Sequence, residues 1–164
     1  MSYIDTSVIV AAIDPTDDRR SEARAFLGRA CHKYVSELVI VELASALSRR
    51  KHLLKDLAQK GIARNEIVII SLIYYLLRKF GLKYKPLSPR ARLTVFGKVY
   101  VPFAEAIELS TKLNLKTLDL LHVAYAKALK DAGEEIRTLI TADRDFWELK
   151  DEIMEETGIE VELI

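Results

Sequence analysis

Four carboxylates occupy positions that ordinary surface pairing does not require. Asp5 and Asp143 each follow an apolar stretch, Tyr3-Ile4 and Leu139-Ile140, where a strand would end. Glu42 and Asp119 lie near the N-terminal ends of otherwise apolar, helix-patterned segments. A charged group on the core side of a helix must be paired or bound to a cation, because burying it alone is expensive. Taken singly, each acid has a plainer account; Asp followed by Thr or Ser, for example, is an ordinary strand-to-helix turn and N-cap. Brought together without partners, four carboxylates would repel until one or more took up a proton. A divalent cation resolves that conflict. Oxygen-only ligands, in a chain whose one cysteine is Cys31, point to a hard ion, Mg²⁺ or Mn²⁺. Such a centre can bind phosphate oxygens, generate a hydroxide and stabilise the leaving oxygen of an in-line displacement.

The elements around these residues predict how they meet. Tyr3-Ile4, Lys33 to Val35, Lys98 to Val101, Arg137 to Thr141 and Ile159 to Leu163 read as strands. Between them the spacing predicts helices over Ser7 to Ile13, from Asp17 or Asp18 to about Gly28, from Ser36 to about Arg49, and over Leu53 to Lys60. Further helices follow from Asn65 or Glu66 to Phe80, Phe103 to Leu113, Leu118 to Lys130 and Asp145 to Glu156. Pro15, Gly61, Gly81, Asn114, Gly133 and Gly158 punctuate them. In the third helix the apolar face is read as Leu38, Val41, Ala44, Ala46 and Leu47, with Glu42 beside it. Leu82 to Lys98, with Pro86 and Pro89, reads as an irregular or partly extended connection. Strand and helix alternating in this way predict a mainly parallel sheet covered on both faces. In such a sheet the strand C-termini and the following helix N-termini share one edge, where ligands bind. The four acids all map to that edge.

Bulk properties narrow the class. A chain of 164 residues, 50% hydrophobic and 30% charged, fits one globular domain, residues 1–164, rather than a disordered chain. A single cysteine excludes a disulfide framework and suits a reducing cytoplasm. No signal-peptide pattern opens the sequence, so secretion is not expected. The most apolar run, Ile67 to Leu77, is far short of the roughly 20 residues of a membrane-spanning helix. The net charge of +1 conceals an asymmetry: Arg49 to Lys98 holds 13 Lys and Arg against two acids, and the rest of the chain is acidic. A basic middle suggests a surface for phosphates or for an acidic partner; dispersed, solvated helix faces are the plainer reading.

Four segments together resemble the motifs of PIN-domain ribonucleases, and most closely the VapC-type toxins of prokaryotic toxin–antitoxin pairs. They are Tyr3-Ile4-Asp5-Thr6-Ser7, Ser36-Glu37-Leu38 through Glu42, Leu118-Asp119-Leu120-Leu121-His122-Val123-Ala124, and Leu139-Ile140-Thr141-Ala142-Asp143-Arg144-Asp145-Phe146. They span nearly the whole chain in the family's order. The resemblance implies a three-layer α/β/α sandwich with a five-stranded parallel sheet. It also implies Asp5, Glu42, Asp119 and Asp143 as the catalytic and metal-holding carboxylates, with Thr6 and Thr141 as hydroxyl support. The implied activity is divalent-metal-dependent cleavage of RNA phosphodiesters by Mg²⁺ or Mn²⁺, as the toxin of a VapBC-type pair, with a VapB-like antitoxin and a homodimer as partners. The connection from about Ile62 to Lys98 is longer than in compact members and carries much of the basic surplus.

Other readings stand beside this one. A non-catalytic module that binds RNA or a protein on the same fold, or a housekeeping RNA-processing nuclease without an antitoxin, would carry similar motifs. Asp145 reads as the N-cap of the last helix, with outer metal ligation as its alternative. His122, three residues after Asp119 and on an apolar helix face, reads as a hydrogen-bonded core histidine, with orientation of a carboxylate or phosphate as its alternative. Tyr74, Tyr75, Phe80, Tyr84, Phe96 and Tyr100 read mostly as core and dimer packing rather than as base-stacking platforms.

Overall fold

Strands buried on both faces need near-continuous apolar sequence, and the short runs Tyr3-Ile4, Tyr34-Val35 and Leu139-Ile140 supply it. In the computed structural model, which describes residues 1–50, 64–87 and 90–164, they form the middle of one five-stranded parallel sheet. Its strands are β1 (Ser2–Ile4), β2 (Lys33–Val35), β3 (Leu82–Tyr84), β6 (Thr138–Thr141) and β7 (Glu160–Leu163), in the order β3-β2-β1-β6-β7. Tyr3 pairs with Tyr34 on one side and Leu139 on the other, so the first strand is the centre of the sheet. Tyr3, Ile4, Val35, Leu139 and Ile140 are all inaccessible. Helices flank the sheet, giving the expected α/β/α sandwich.

Helix α1 (Thr6–Ile13) packs against α2 (Arg20–Leu27) and α3 (Glu37–Ser48), and α3 packs against α4 (Asn65–Lys79). Farther along the chain, α5 (Val101–Leu109) lies along α6 (Thr117–Asp131). The chain then closes with α7 (Arg144–Glu148) and α8 (Lys150–Thr157) ahead of the last strand. Lys33, buried in β2, donates from Nζ to the carbonyls of Leu27 (2.6 Å) and Arg29 (2.7 Å). A cation there satisfies orphan carbonyls at the end of α2 and suits the helix dipole.

Several boundaries depart from the sequence reading. Of the connection read as irregular or partly extended over Leu82 to Lys98, the described residues bear out the extended part, with strands at Leu82–Tyr84, Ala91–Thr94 and Gly97–Tyr100. Leu82 to Tyr84 is the sheet's edge strand, entered directly from α4 through Gly81, whose φ of 61° is a conformation that favours glycine. Only Leu82 of the three is buried, too little alternation to show as a strand in sequence. Lys98 to Tyr100 belongs instead to an antiparallel hairpin outside the main sheet, β4 (Ala91–Thr94) with β5 (Gly97–Tyr100). Pro102 does not end a strand; it opens α5, in the first turn where its missing N–H costs nothing. That helix stops at Leu109, not at Leu113. The last helical stretch breaks at Leu149 into α7 and α8. In α3 the buried face is Val39, Leu43 and Leu47, and Val41 is 65% exposed. The segment Leu38 to Leu47 is apolar nearly all round, so its phase was not readable from periodicity. Of the six aromatics read as core or dimer packing, Phe80 is buried and Tyr100 partly so, while Tyr74, Tyr75, Tyr84 and Phe96 are exposed. The helix expected over Leu53 to Lys60 lies outside the described residues.

Candidate active site

At the carboxyl edge of the sheet, the ends of β1 and β6 stand side by side, because the Asp5 amide donates to the Ile140 carbonyl at 3.0 Å. That single contact places Asp5 and the segment leading to Asp143 next to each other. Helix α3 brings Glu42 in its second turn, and α6 brings Asp119 in its first. All four expected acids line one cleft of about 340 Å³, with Thr6, Ser7, Ser45, Arg49, Leu118 and His122 among its walls. Starts of α1, α3, α6 and α7 face this edge, and their dipoles offset part of the negative charge.

The acids fall into two groups. Asp5, Glu42 and His122 form one, and Asp119, Asp143 and Asp145 the other, each with ligand atoms within 4.8 Å of one another. Asp5 is 4% exposed. It accepts from the Ser7 hydroxyl and, on Oδ2, from Thr141 Oγ1 at 2.8 Å. Glu42 accepts from Thr6 Oγ1 at 2.5 Å and stands 2.7 Å from His122 Nε2. The hydroxyls of Thr6 and Ser7 thus hold acids in place and make no helix cap; α1 has no side-chain cap bond. Thr141 also accepts the Asp143 amide at 3.0 Å. Asp143, not Asp145, caps α7, accepting the Asp145 amide at 3.0 Å. Asp145 instead accepts from Lys116 Nζ at 2.6 Å on the outer side.

His122 resolves both of its alternatives at once. The ring is 2% exposed, as a core histidine would be. Its Nε2 nevertheless faces the acids, 3.2 Å from Asp5 Oδ1 and 2.7 Å from Glu42 Oε2. Its Nδ1 lies 3.0 Å from the Tyr3 hydroxyl, which in turn lies 2.7 Å from Ser36 Oγ. Ser36, expected as the cap of α3, spends its hydroxyl on this chain instead. Tyr3, Ser7 and Ser36 are site residues that sequence reasoning assigned to core or caps. Local sequence does not distinguish them: Tyr3 and Ser36 meet across 33 residues and Tyr3 and His122 across 119, and Ser7, besides Asp5 two residues away, accepts the Ala142 amide 135 residues on.

The electrostatics favour an added positive charge. Burial pushes the Asp119 carboxyl up to about 6, with the charges of Asp143 and Asp5 adding to it. Burial also raises Glu42, but the His122 bond and charge and the Thr6 hydroxyl outweigh it and hold it below its ordinary value. For His122 burial works downward, and the neighbouring Asp5 and Glu42 win, raising it. Among the described residues lining the cleft the bases are His122 and Arg49, and the Arg49 guanidinium donates to Ser45 Oγ at 2.6 Å. Several described bases of the middle segment pair elsewhere. Lys85 pairs with Glu134, and Arg92 with Glu105 and Glu108. Arg78 and Lys79 sit at the opposite edge of the sheet, just before β3 begins.

The PIN-domain family model matches residues 2–152. The chain belongs to the PIN-domain family. Solved structures agree with that assignment at the level of fold. VapBC2 from Rickettsia felis, bound to a DNA fragment from its promoter, is 17% identical over 100% of this chain and 99% of its own, with a TM-score of 0.57. The sarcin–ricin-loop-cleaving toxin VapC20 from Mycobacterium tuberculosis is 16% identical over 90% and 94%, with a TM-score of 0.56. FitAcB from Neisseria gonorrhoeae is 15% identical over 98% and 96%, with a TM-score of 0.59. No curated protein matches the chain by sequence. The PIN domain's donor set suits a divalent cation: acids held by hydroxyls, one carboxyl with a raised proton affinity, and little counter-charge in the cleft.

Proposed function

We propose that this PIN domain is a divalent-metal-dependent endoribonuclease, the toxin of a VapBC-type pair. The observation that carries the reading is the cleft itself: four carboxylates gathered from four segments, with His122 and Arg49 as the bases among the described residues that line it. Asp5, Glu42, Asp119 and Asp143 would hold Mg²⁺ or Mn²⁺. When bound, such an ion neutralises phosphate oxygens and lowers the pKa of water.

The chain's own residues then have separable tasks. Thr141 and Ser7 fix the rotamer of Asp5, and Thr6 that of Glu42, so that the acids are oriented before substrate arrives. Arg49 at the rim offers a guanidinium to a phosphate oxygen. Asp119 is ionised at neutral pH although burial resists it. The reaction is hydrolysis: water adds to phosphorus and a ribose oxygen leaves.

Structural likeness to VapBC2 and to the RNA-cleaving VapC20 supports RNA as substrate and a VapB-like antitoxin as partner. Ile67, Ile70 and Tyr74 form an exposed apolar stripe along α4, which supports a homodimer. An RNA-cleaving toxin acts in the cytoplasm, the compartment proposed. Among the described residues, no helix is long and apolar enough to cross a membrane.

Replacing Asp5 by Asn tests the reading. RNA cleavage with Mg²⁺ or Mn²⁺ should fall by about 10²-fold or more, the scale of losing one preorganised charge at a transition state. Undiminished cleavage sinks the assignment. Calorimetric titration separates the non-catalytic alternative, which would bind no Mn²⁺ even with RNA present.

A further inference from the structure

We propose that His122 Nε2 is itself a ligand of the divalent cation, in one set with Asp5 and Glu42, and that this nitrogen makes the site prefer Mn²⁺ over Mg²⁺. The inference rests on the metal-dependent reading above and adds to it a donor that an all-carboxylate site lacks.

The argument begins with directions. A single N–H on Nε2 can point at one acceptor, yet Nε2 stands 2.7 Å from Glu42 Oε2 and 3.2 Å from Asp5 Oδ1. Two ligand atoms at right angles on an octahedral ion, each about 2.1 Å from it, are about 3.0 Å apart. The two observed separations bracket that edge length. Each of these residues offers a ligand atom within 4.8 Å of the others, and all three line the cleft. The arrangement is that of three donors around a shared point rather than of one hydrogen bond with a bystander.

The far side of the ring is prepared for the same role. A histidine that binds metal through Nε2 carries its proton on Nδ1, and ligating histidines almost always donate that proton to a fixed acceptor. Tyr3 Oη is 3.0 Å from Nδ1, and Ser36 Oγ is 2.7 Å beyond it. Both hydroxyls rotate. With the proton on Nε2, Tyr3 donates to Nδ1; with the proton on Nδ1, Tyr3 accepts it and turns its own hydrogen to Ser36. A ring bound to the cation through Nε2 therefore finds an acceptor for its Nδ1 proton already in place. Tyr3 is inaccessible at the centre of the sheet, so this outer partner is held by the core itself.

Imidazole is a poor ligand for Mg²⁺, which keeps oxygen donors and water, whereas affinity for nitrogen-bearing sites rises along the transition series. One nitrogen in the set thus favours Mn²⁺.

Pulsed electron paramagnetic resonance on the full chain loaded with Mn²⁺ tests this without reference to activity. The wild type should show ¹⁴N coupling from a directly bound imidazole, and His122→Asn should lose it. By calorimetry, the preference for Mn²⁺ over Mg²⁺ should fall about tenfold in His122→Asn, the low end of what metal-site partners contribute. Tyr3→Phe, which keeps the imidazole, should retain the coupling. Asp5-dependent Mn²⁺ binding with no nitrogen coupling in the wild type overturns the proposal and leaves the metal centre standing. Coupling that survives His122→Asn overturns it too. Mn²⁺ binding indifferent to Asp5→Asn instead overturns the metal centre on which the proposal rests.

Discussion

Two regions of this molecule bury carboxylates, and they treat them in opposite ways. Beside the hairpin, Glu105 of α5 is 3% exposed and fully answered: Arg92 of β4 pairs with it, and Lys127 of α6 stands 3.3 Å away. Across the molecule Asp5 is 4% exposed, and its partners are the hydroxyls of Ser7 and Thr141 and one imidazole. Depth alone therefore does not mark a functional acid. What separates the two is counter-charge. A buried acid matched by guanidinium and ammonium groups is a structural joint, and breaking it is costly; several acids sharing one imidazole and one guanidinium make a set that suits a cation.

The comparison can be broken most decisively by exchanging its two sides. Asp119→Asn should lower RNA cleavage by about 10² to 10³-fold without destabilising the fold. Glu105→Ala should cost about 2 kcal/mol of stability, less than a wholly buried pair because Arg92 is partly exposed. Its cleavage per folded molecule should be unchanged. Urea denaturation and a cleavage assay on both variants decide it, and the reverse pattern would erase the distinction. A smaller effect is expected from Thr141→Val, which keeps shape but removes the hydroxyl that bridges Asp5 and the Asp143 amide. Mn²⁺ affinity measured by calorimetry should weaken about tenfold.

The smallest effect is on the pH dependence of the metal-free protein. Asp119 is raised from 3.8 to about 6, so the native state holds that proton more tightly than the unfolded chain does. Its contribution is most favourable below the unfolded value and declines as pH rises through about 6. Asp119→Asn should therefore raise the Tm of the metal-free protein at pH 7 and leave it nearly unchanged at pH 3. Mn²⁺, which competes with the same proton, should bind more weakly below about pH 6 in the wild type. A Tm gain in the variant that is equal at both pH values would remove the charge argument.

The four acids were legible because each carries its own local context, a strand end or an apolar helix, and because their order along the chain matches that of a known family. The hydrogen-bond chain Ser36–Tyr3–His122 was not. Tyr3 looks like any core tyrosine, Ser36 like any N-cap, and only the tertiary fold brings positions 3 and 122 together. For α3 the difficulty was degeneracy: Val39, Leu43 and Leu47 are buried, but Val41 on the other side is equally apolar in sequence. The edge strand at Leu82 failed for the opposite reason, since one buried residue in three gives no pattern to read. The basic middle segment was visible as composition, whereas its pairing with Glu134, Glu105 and Glu108 depends on contacts that composition does not record.

The pairing of β1 with β6 joins residue 4 to residue 140, and that junction sets when the acids of the cleft can come together. As the ribosome extends the chain, Asp5 emerges well before its neighbouring strand β6 and before Asp143. Until they emerge, the cleft lacks one wall and the acids that would share it are apart. Under the proposed ribonuclease activity, this order of synthesis is a built-in delay: an incomplete nascent chain, tethered to a large body of RNA, would carry no assembled centre.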